Sequence, residues 1–347
     1  MNSGSSKQIR KKILSGLLVI CIIAFFIPTP YYLFQPGSVE ELQSKVTVED
    51  GEKTAAGHLY LTTVMSLKAS NIYYLTYGLV APHTDLRKVK EVRGDLTDEE
   101  YSKMLEHMMI SSQQNALAAG LQAAGEDVEI IPAGIFVSSI HESSDAKGRM
   151  KVGDIIWQVD GTPVKKSDDF LHYLANKEIG DTVELTFTRD GIEQTEKIEL
   201  ISLKNGVNKA GVGIVPEDQV KLHASRNVEI NAKDIGGPSA GLMFSLEIYN
   251  QATTGDLTKG YEIAGTGTID MDGNVGQIGG IREKITAVHK AGIDIFFCPK
   301  DIHANDSNEK DVLDEAQKQG YSVTIVPVKT LQEAIDYLRD LPPKETT

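Results

Sequence analysis

Two short runs, Gly236-Gly237-Pro238-Ser239-Ala240-Gly241 and Ile278-Gly279-Gly280-Ile281-Arg282-Glu283-Lys284, bracket the stretch that decides how this chain is read. Pro238 suits a first helical turn, and Leu242, Met243, Leu246 and Tyr249 follow it at helical spacing. Ser239 is therefore expected at or near a helix N-terminus, where free amides and the positive helix end favour a developing oxyanion. A serine in that place is also an ordinary helix cap. With about 100° per residue over a helix at 280–291, Ile281, Ile285, Val288 and Ala291 share an arc with Lys284. Arg282, Glu283, Thr286, His289 and Lys290 fall on the other side. A lysine on the apolar arc is costly while charged. Desolvation lowers its pKa and leaves an amine able to act as a base. The alternative is a lysine that snorkels out from the helix edge.

Outward from this stretch, 347 residues give room for two or three domains, and 41% hydrophobic with 24% charged residues is a globular composition. The net charge of −14 argues against nucleic acid as a partner. Residues 1–34 hold Lys7, Arg10, Lys11 and Lys12 and no acid, which leaves the remainder at −18 and favours cationic peptides in a first encounter. Cys21 and Cys298 are too few and too far apart to staple a scaffold. The eight histidines are scattered with no His-Glu-x-x-His, so no metal site is expected, and His107 is read as a surface or core residue.

Residues 13–34 (ILSGLLVICIIAFFIPTPYYLF) carry no charge and are long enough to span a bilayer. The basic cluster before them places the N-terminus in the cytoplasm and the body outside, with Tyr31 and Tyr32 at the far interface. An uncleaved anchor is preferred to a signal peptide because no small-x-small site follows the apolar run closely. Residues 36–54 are polar and are expected to form a stalk or the entry to the fold, with a strand over 57–65 and a helix capped by the Thr97–Glu100 box that stops at Gly120. Strand signals return at 128–131, 134–140, 154–159 and 182–188, with Asp160-Gly161 and Asp190-Gly191 as tight turns and Ser167 capping a short helix. A short strand at 228–231 and a turn over 233–237 precede the serine. Beyond Pro299 come a helix at 307–319, a strand at 322–327 and a final helix from Thr330.

The segment 128–203 resembles a PDZ domain, through Ala133-Gly134-Ile135-Phe136-Val137, Lys151-Val152-Gly153-Asp154-Ile155-Ile156 and Val159-Asp160-Gly161. That resemblance implies an extended peptide added as a strand, with Ala133, Gly134, Ile135 and Phe136 at the loop that meets its carboxylate. A spacer or lid is the alternative. The stretch with Ser239 and Lys284, and Gly265-Thr266-Gly267 and Gly279-Gly280 between them, resembles the proteolytic domain of Lon peptidases. There a Pro-Ser-Ala-Gly serine is paired with the last lysine of a Gly-Gly-x-Lys-Glu-Lys run. The resemblance implies Ser239 as nucleophile, Lys284 as general base, Thr266 hydrogen-bonded to the amine, and Gly237 and Pro238 in support. Gly236 stands where the family has an aspartate, Thr268 where it has a glutamate, and Arg282 where it has the first lysine.

No Gly-x4-Gly-Lys-Ser/Thr loop is present, so neither a nucleotide nor any other cofactor is expected. The expected fold class is α+β: a Lon-type proteolytic domain with an inserted, mainly-β PDZ domain, preceded by one transmembrane helix. Its parts are a cytoplasmic N-terminus at 1–12, the anchor at 13–34, a stalk and first part of the Lon-type domain at 35–127, the PDZ domain at 128–203, and the catalytic part at 204–347. This order resembles the membrane-anchored PDZ–Lon peptidases of Gram-positive bacteria, one member type of which trims the competence-signalling peptide of streptococci. It implies an ATP-independent cell-surface serine endopeptidase that matures an extracellular signalling peptide. The rival readings are a quality-control protease for exported or membrane proteins and a non-catalytic peptide-binding scaffold.

Overall fold

The computed structural model describes residues 3–53, 56–203, 209–232 and 235–345, with side chains from residue 10 onward. Helix α1 (Ser3–Phe26) stops just before Pro28 and Pro30, and the chain then enters strand β1 (Tyr31–Glu41). Residues 13–34 therefore do not form the single spanning segment expected. The uncharged part of α1, residues 13–26, is about 21 Å long at 1.5 Å per residue, against a hydrocarbon thickness of about 30 Å. Among the described residues no helix is long and apolar enough to cross a membrane. Further along the apolar run, Tyr32 and Leu33 are buried in a sheet rather than set at an interface. Of the two expectations for residues 36–54, the structure shows the entry to the fold and not a stalk, through β1 and β2 (Val46–Val48).

Strand β3 (His58–Lys68) pairs antiparallel with β1; helix α2 (Ile72–Val80) and strand β4 (Asp85–Lys88) fold back so that β4 takes the other edge of β1. A short α3 (Val89–Arg93) leads to α4 (Asp98–Ala123), whose first turn is closed by the reciprocal bonds of Thr97 and Glu100. Helix α4 runs through Gly120 instead of stopping there. A Cβ at Gly120 would lie 2.8 Å from the Ser245 carbonyl oxygen, so the glycine permits a close helix–helix contact.

A separate β-rich unit follows. It comprises β5 (Val128–Ile140), β6 (Ile155–Val159), β7 (Thr162–Pro163), α5 (Ser167–Leu174), β8 (Thr182–Arg189) and β9 (Ile192–Glu199). The hairpin of β10 (Ile201–Leu203) and β11 (Lys209–Gly211) then leads to β12 (Ile214–Ala224). The sheet order is β12-β5-β6-β8-β9, so one edge strand comes from beyond residue 203. Both Asp-Gly pairs take positive φ at both residues, 47° and 78° at 160–161 and 50° and 80° at 190–191, as two-residue hairpin turns require. Ile135, Val137, Ile156, Phe170, Leu185 and Phe187 form a core of its own.

The chain returns through β13 (Val228–Ile230), which pairs with β2; the first two residues of the turn expected over 233–237 lie outside the described residues. Helix α6 (Gly241–Ala252), β14 (Glu262–Gly265), the β15 (Thr268–Ile269) and β16 (Val275–Gly276) hairpin and α7 (Ile281–Ala291) follow. The chain closes with β17 (Ile295–Pro299), α8 (Asn308–Gln319), β18 (Thr324–Val328) and α9 (Leu331–Asp340). The main sheet has the order β18-β17-β14-β3-β1-β4, parallel from β18 to β3 and antiparallel beyond. Its period-two alternation feeds two cores. Leu59, Leu61, Ile263, Ile295 and Phe297 pack with α4, α6 and α9, whereas Tyr60, Ala264, Phe296 and Cys298 pack with α7 and α8. Ser239 thus precedes a helix on one side of the sheet, and Lys284 is carried by a helix on the other.

Candidate active site

Ser239 and Lys284 meet where β14 ends at Gly265, which opens the sheet beside Thr62 of β3. Helix α6 begins only at Gly241, with Ala240 as its N-cap, so Pro238 and Ser239 lie in the turn before it rather than in its first turn. The reason is local. In a helix the Ser239 carbonyl would accept from the Met243 amide, but it already accepts from Thr266 Oγ1 and from the Gly267 amide, both at 2.9 Å. The Met243 amide turns to the Ala240 carbonyl instead. Ser112 Oγ of α4 donates to the Pro238 carbonyl at 3.0 Å, and the Gly237 amide donates to the Leu105 carbonyl at 3.2 Å. The half-buried serine is therefore held from both flanks. The amides of Ser239 and Ala240 have no acceptor among the described residues.

Lys284 arrives from the opposite face. Helix α7 starts at Gly280, where φ is +77° and a Cβ would lie 2.7 Å from Val64 Cγ2, so both the turn and the approach demand glycine. One turn later the lysine side chain is 1% exposed. Its Nζ donates to the Thr62 carbonyl and lies 3.1 Å from Ser239 Oγ and 3.4 Å from Thr62 Oγ1. No carboxylate pairs with it among the described residues, and burial alone pushes its pKa down to about 7. A neutral amine has two N–H donors and one lone pair. With an N–H committed to the Thr62 carbonyl, the lone pair is free to accept the Ser239 hydroxyl proton.

Thr266 does not touch the amine; its hydroxyl fixes the Ser239 carbonyl, and Thr62 occupies the place beside Lys284. Thr62 carried no signal in the sequence, being 222 residues from the lysine it contacts. Its hydroxyl donates to the Gly265 carbonyl at 3.1 Å, which braces the strand end. The far side of α7 is also less polar in its surroundings than the helical wheel suggested. Helix α8 covers it, Glu283 and Thr286 are buried, and burial raises the Glu283 carboxyl. Tyr321 donates to Thr286 Oγ1 at 3.1 Å, while His289 is exposed and stacks on the Tyr321 ring.

Ala133, Gly134, Ile135 and Phe136 lie inside β5 rather than in a loop. Ile135 and Phe136 pair with Asp218 and Glu217 on one side and with Ile156 and Ile155 on the other, which leaves no free edge there for a peptide. The edge strands of the sheet are β9 and β12, and β12 lies beside α5, where Asp218 Oδ1 accepts from the Ser167 amide at 2.6 Å. A seam joins this unit to the main body. The His107 ring of α4 stacks on Phe136 at 3.5 Å, and His107 Nε2 lies 3.5 Å from Glu217, which it holds below the usual carboxylate range. Glu217 also lines a cleft of about 380 Å³ with Met108, Ser112, Pro238, Ile269 and Gly276, which connects β12 with the turn that carries Ser239.

A half-buried serine with free flanking amides and a buried, uncompensated lysine at 3.1 Å is an arrangement of the serine-peptidase class. Comparison with known proteins agrees and is more specific. Residues 106–200 match the PDZ domain family, and residues 207–339 match the Lon protease (S16) C-terminal proteolytic domain. The chain thus combines a PDZ domain with a Lon-type serine peptidase domain. It is 33% identical over 123 residues to the Lon protease of Brevibacillus choshinensis, covering 35% of this chain and 15% of that protein. It is 29% identical over 126 residues to Lon protease 1 of Bacillus subtilis, covering 36% and 15%. A crystal structure of the PDZ domain of the SdrC-like protein from Listeria monocytogenes is 28% identical, covers 24% of this chain and 86% of that one, and has a TM-score of 0.23. The chain spans about a sixth of the length of the Lon proteases it matches.

Proposed function

We propose that this chain is a membrane-anchored serine endopeptidase that cleaves short extracellular peptides without nucleotide, its leading substrate a signalling peptide of the competence type. The observation that carries the catalytic part is the 3.1 Å approach of Lys284 Nζ to Ser239 Oγ in a buried setting that leaves about half of the amine uncharged at pH 7. Ser239 Oγ attacks the scissile carbonyl and its proton passes to Lys284 Nζ. The amides of Ser239 and Ala240 receive the oxyanion. Collapse of the tetrahedral intermediate breaks the C–N bond, and the lysine proton goes to the departing amine. Water, deprotonated by the same amine, then cleaves the acyl-enzyme ester and frees Ser239.

Peptide is taken up along the open edge of β12, as an added strand against α5, and reaches Ser239 through the cleft at Glu217 and Pro238. Helix α1 enters the bilayer through its apolar side chains, with Arg10, Lys11 and Lys12 reaching out to anionic headgroups. Its exposed Leu14, Leu17, Leu18, Ile20 and Phe26 support that reading, and extended residues 27–30 carry the chain out to the body. The test is the full chain in lipid nanodiscs, without nucleotide, given short peptides, unfolded proteins and folded proteins, with products read by mass. Cleavage of one or a few bonds in short peptides is expected. Broad cleavage of unfolded chains would favour quality control instead. No cleavage, or cleavage that survives Ser239→Ala, would overturn the proposal.

A further inference from the structure

Helix α2 has an outer face that the sheet leaves open and that α1 approaches at Tyr73. It reads Ile-Tyr-Tyr-Leu-Thr-Tyr-Gly-Leu-Val, and from residue 69 to residue 82 there is no charged side chain. Asn71 starts it, its side chain accepting from the amides of Tyr73 and Tyr74. Gly78 seats it: a Cβ there would lie 2.9 Å from Leu33 and Leu86, so the helix presses on β1 and β4 with its small residue. Tyr77 reaches back, its OH accepting from Gln35 Nε2 of β1 at 3.1 Å, whereas Tyr73, Tyr74, Leu79 and Val80 point outward. Tyr73, Tyr74 and Tyr77 are 44–50% exposed, Leu79 is 70% exposed and Val80 is 81% exposed. A helix end that leaves two aliphatic side chains in water, with three tyrosines behind them, has the composition of a membrane interface, where amphipathic rings sit at headgroup level and aliphatic groups go deeper.

Its position relative to α1 names the occupant. Tyr73 OH donates to the Cys21 carbonyl of α1 at 2.7 Å, so the two apolar helices form one continuous surface. Cys21 lies five residues from the end of α1 at Phe26. That is about 7.5 Å along the axis at 1.5 Å per residue, within the depth of roughly 5–10 Å at which interfacial helices lie. The basic run Arg10, Lys11 and Lys12 at the other end of α1 complements anionic headgroups.

We infer that α2 is a second membrane element, lying in the interface of the same bilayer that α1 enters, with Leu79 and Val80 in the acyl region and Tyr73 and Tyr74 at the headgroups. This rests on the membrane reading of α1 and adds to it. It fixes the body against the membrane through a folded helix instead of leaving it on a flexible tether, and so holds the cleavage site at a set orientation to the surface.

The test uses the full chain with Cys21→Ser, reconstituted in vesicles of phosphatidylcholine and phosphatidylglycerol. Leu79→Cys or Val80→Cys carries an environment-sensitive fluorophore, Ile192→Cys on β9 serves as the solvent reference, and lipids brominated on the acyl chain act as quencher. Quenching at 79 and 80 at least about threefold stronger than at 192 is expected for side chains in the acyl region. Retention on vesicles with no excess quenching at 79 and 80 overturns the role of α2 alone. Failure to be retained on vesicles overturns the membrane reading as well. Labels shielded from water but unquenched, with oligomers seen by mass, would assign the face to a second copy and also overturn the proposal.

Discussion

The pH dependence of Lys284 links catalysis and stability in one group and is the sharpest consequence of the fold. Burial moves its pKa from the ordinary 10.5 to about 7. With that value about a tenth of the amine is neutral at pH 6, about half at pH 7 and about nine-tenths at pH 8. kcat/KM for a short peptide, which reports the free enzyme, should therefore rise tenfold per pH unit below about pH 7 and level off above pH 8. Stability carries the same signature. Between about pH 7 and 10.5 the unfolded chain holds a proton that the folded chain lacks, so folding becomes more favourable as pH rises through that window; below pH 7 both states are protonated and the cost is constant. The cost is about 4 kcal/mol at pH 7 and about 2 kcal/mol at pH 9. Lys284→Met removes it, while leaving the Thr62 carbonyl without its donor at about 1–3 kcal/mol. The informative quantity is the slope: the stability of Lys284→Met relative to the parent, from denaturant titration, should fall by about 2 kcal/mol from pH 7 to pH 9. The variant should cleave nothing. A rate profile flat from pH 5.5 to 8.5, or a stability difference independent of pH, would refute a buried, neutral lysine.

Glu247 on α6 is buried, its side chain accepts from Gln251 Nε2, and burial pushes its pKa up to about 7. Its sign is opposite to that of Lys284: parent stability should fall as pH rises from 4.5 to 7, and Glu247→Gln should gain about 3 kcal/mol above pH 7 and nothing below pH 4.5, read by thermal melts across that range. Thr266→Val removes the hydroxyl that fixes the Ser239 carbonyl, so kcat should drop about tenfold. The inflection in the rate profile should stay in place; a shifted inflection would mean that the threonine acts on the amine. His107→Ala takes away the stack on Phe136 and the partner of Glu217, and hydrogen exchange in β5 and β12 should quicken with a loss of about 1–2 kcal/mol. Unchanged protection would mean that the seam contributes nothing. A chain begun at residue 36 lacks the four register pairs from Tyr31↔Lys88 to Phe34↔Asp85 that hold β4, so it should melt without cooperativity, whereas one begun at residue 28 should melt as a unit.

Local periodicity placed Lys284 on the Ile281, Ile285, Val288 arc and Ser239 near a helix start, but it left a snorkelling lysine and a plain helix cap open. The pairing of the two was legible only through the resemblance to Lon peptidases. The register of that start was not legible, because it depends on Thr266 and Gly267 capturing a carbonyl from outside the local sequence. Thr62 was hidden for the same reason, a strand residue whose role comes only from sheet order. The edge strand β12 shows a further limit: alternation identifies a strand, but which neighbour it pairs with is a tertiary fact. At the N-terminus, lack of charge extended the apparent anchor through Tyr32 and Leu33. Pro28 and Pro30 mark the break, and the residues beyond it are uncharged because β1 buries them in the sheet.

The most direct test of the Ser239–Lys284 claim is single-turnover acylation of the full chain by a peptidyl ester, with intact and fragment mass locating the adduct. One acyl group on Ser239 is expected, forming faster as pH rises through about 7, absent in Ser239→Ala and slowed by orders of magnitude in Lys284→Ala. An adduct on another residue, or acylation of Ser239 that proceeds at the parent rate without Lys284, would contradict the account.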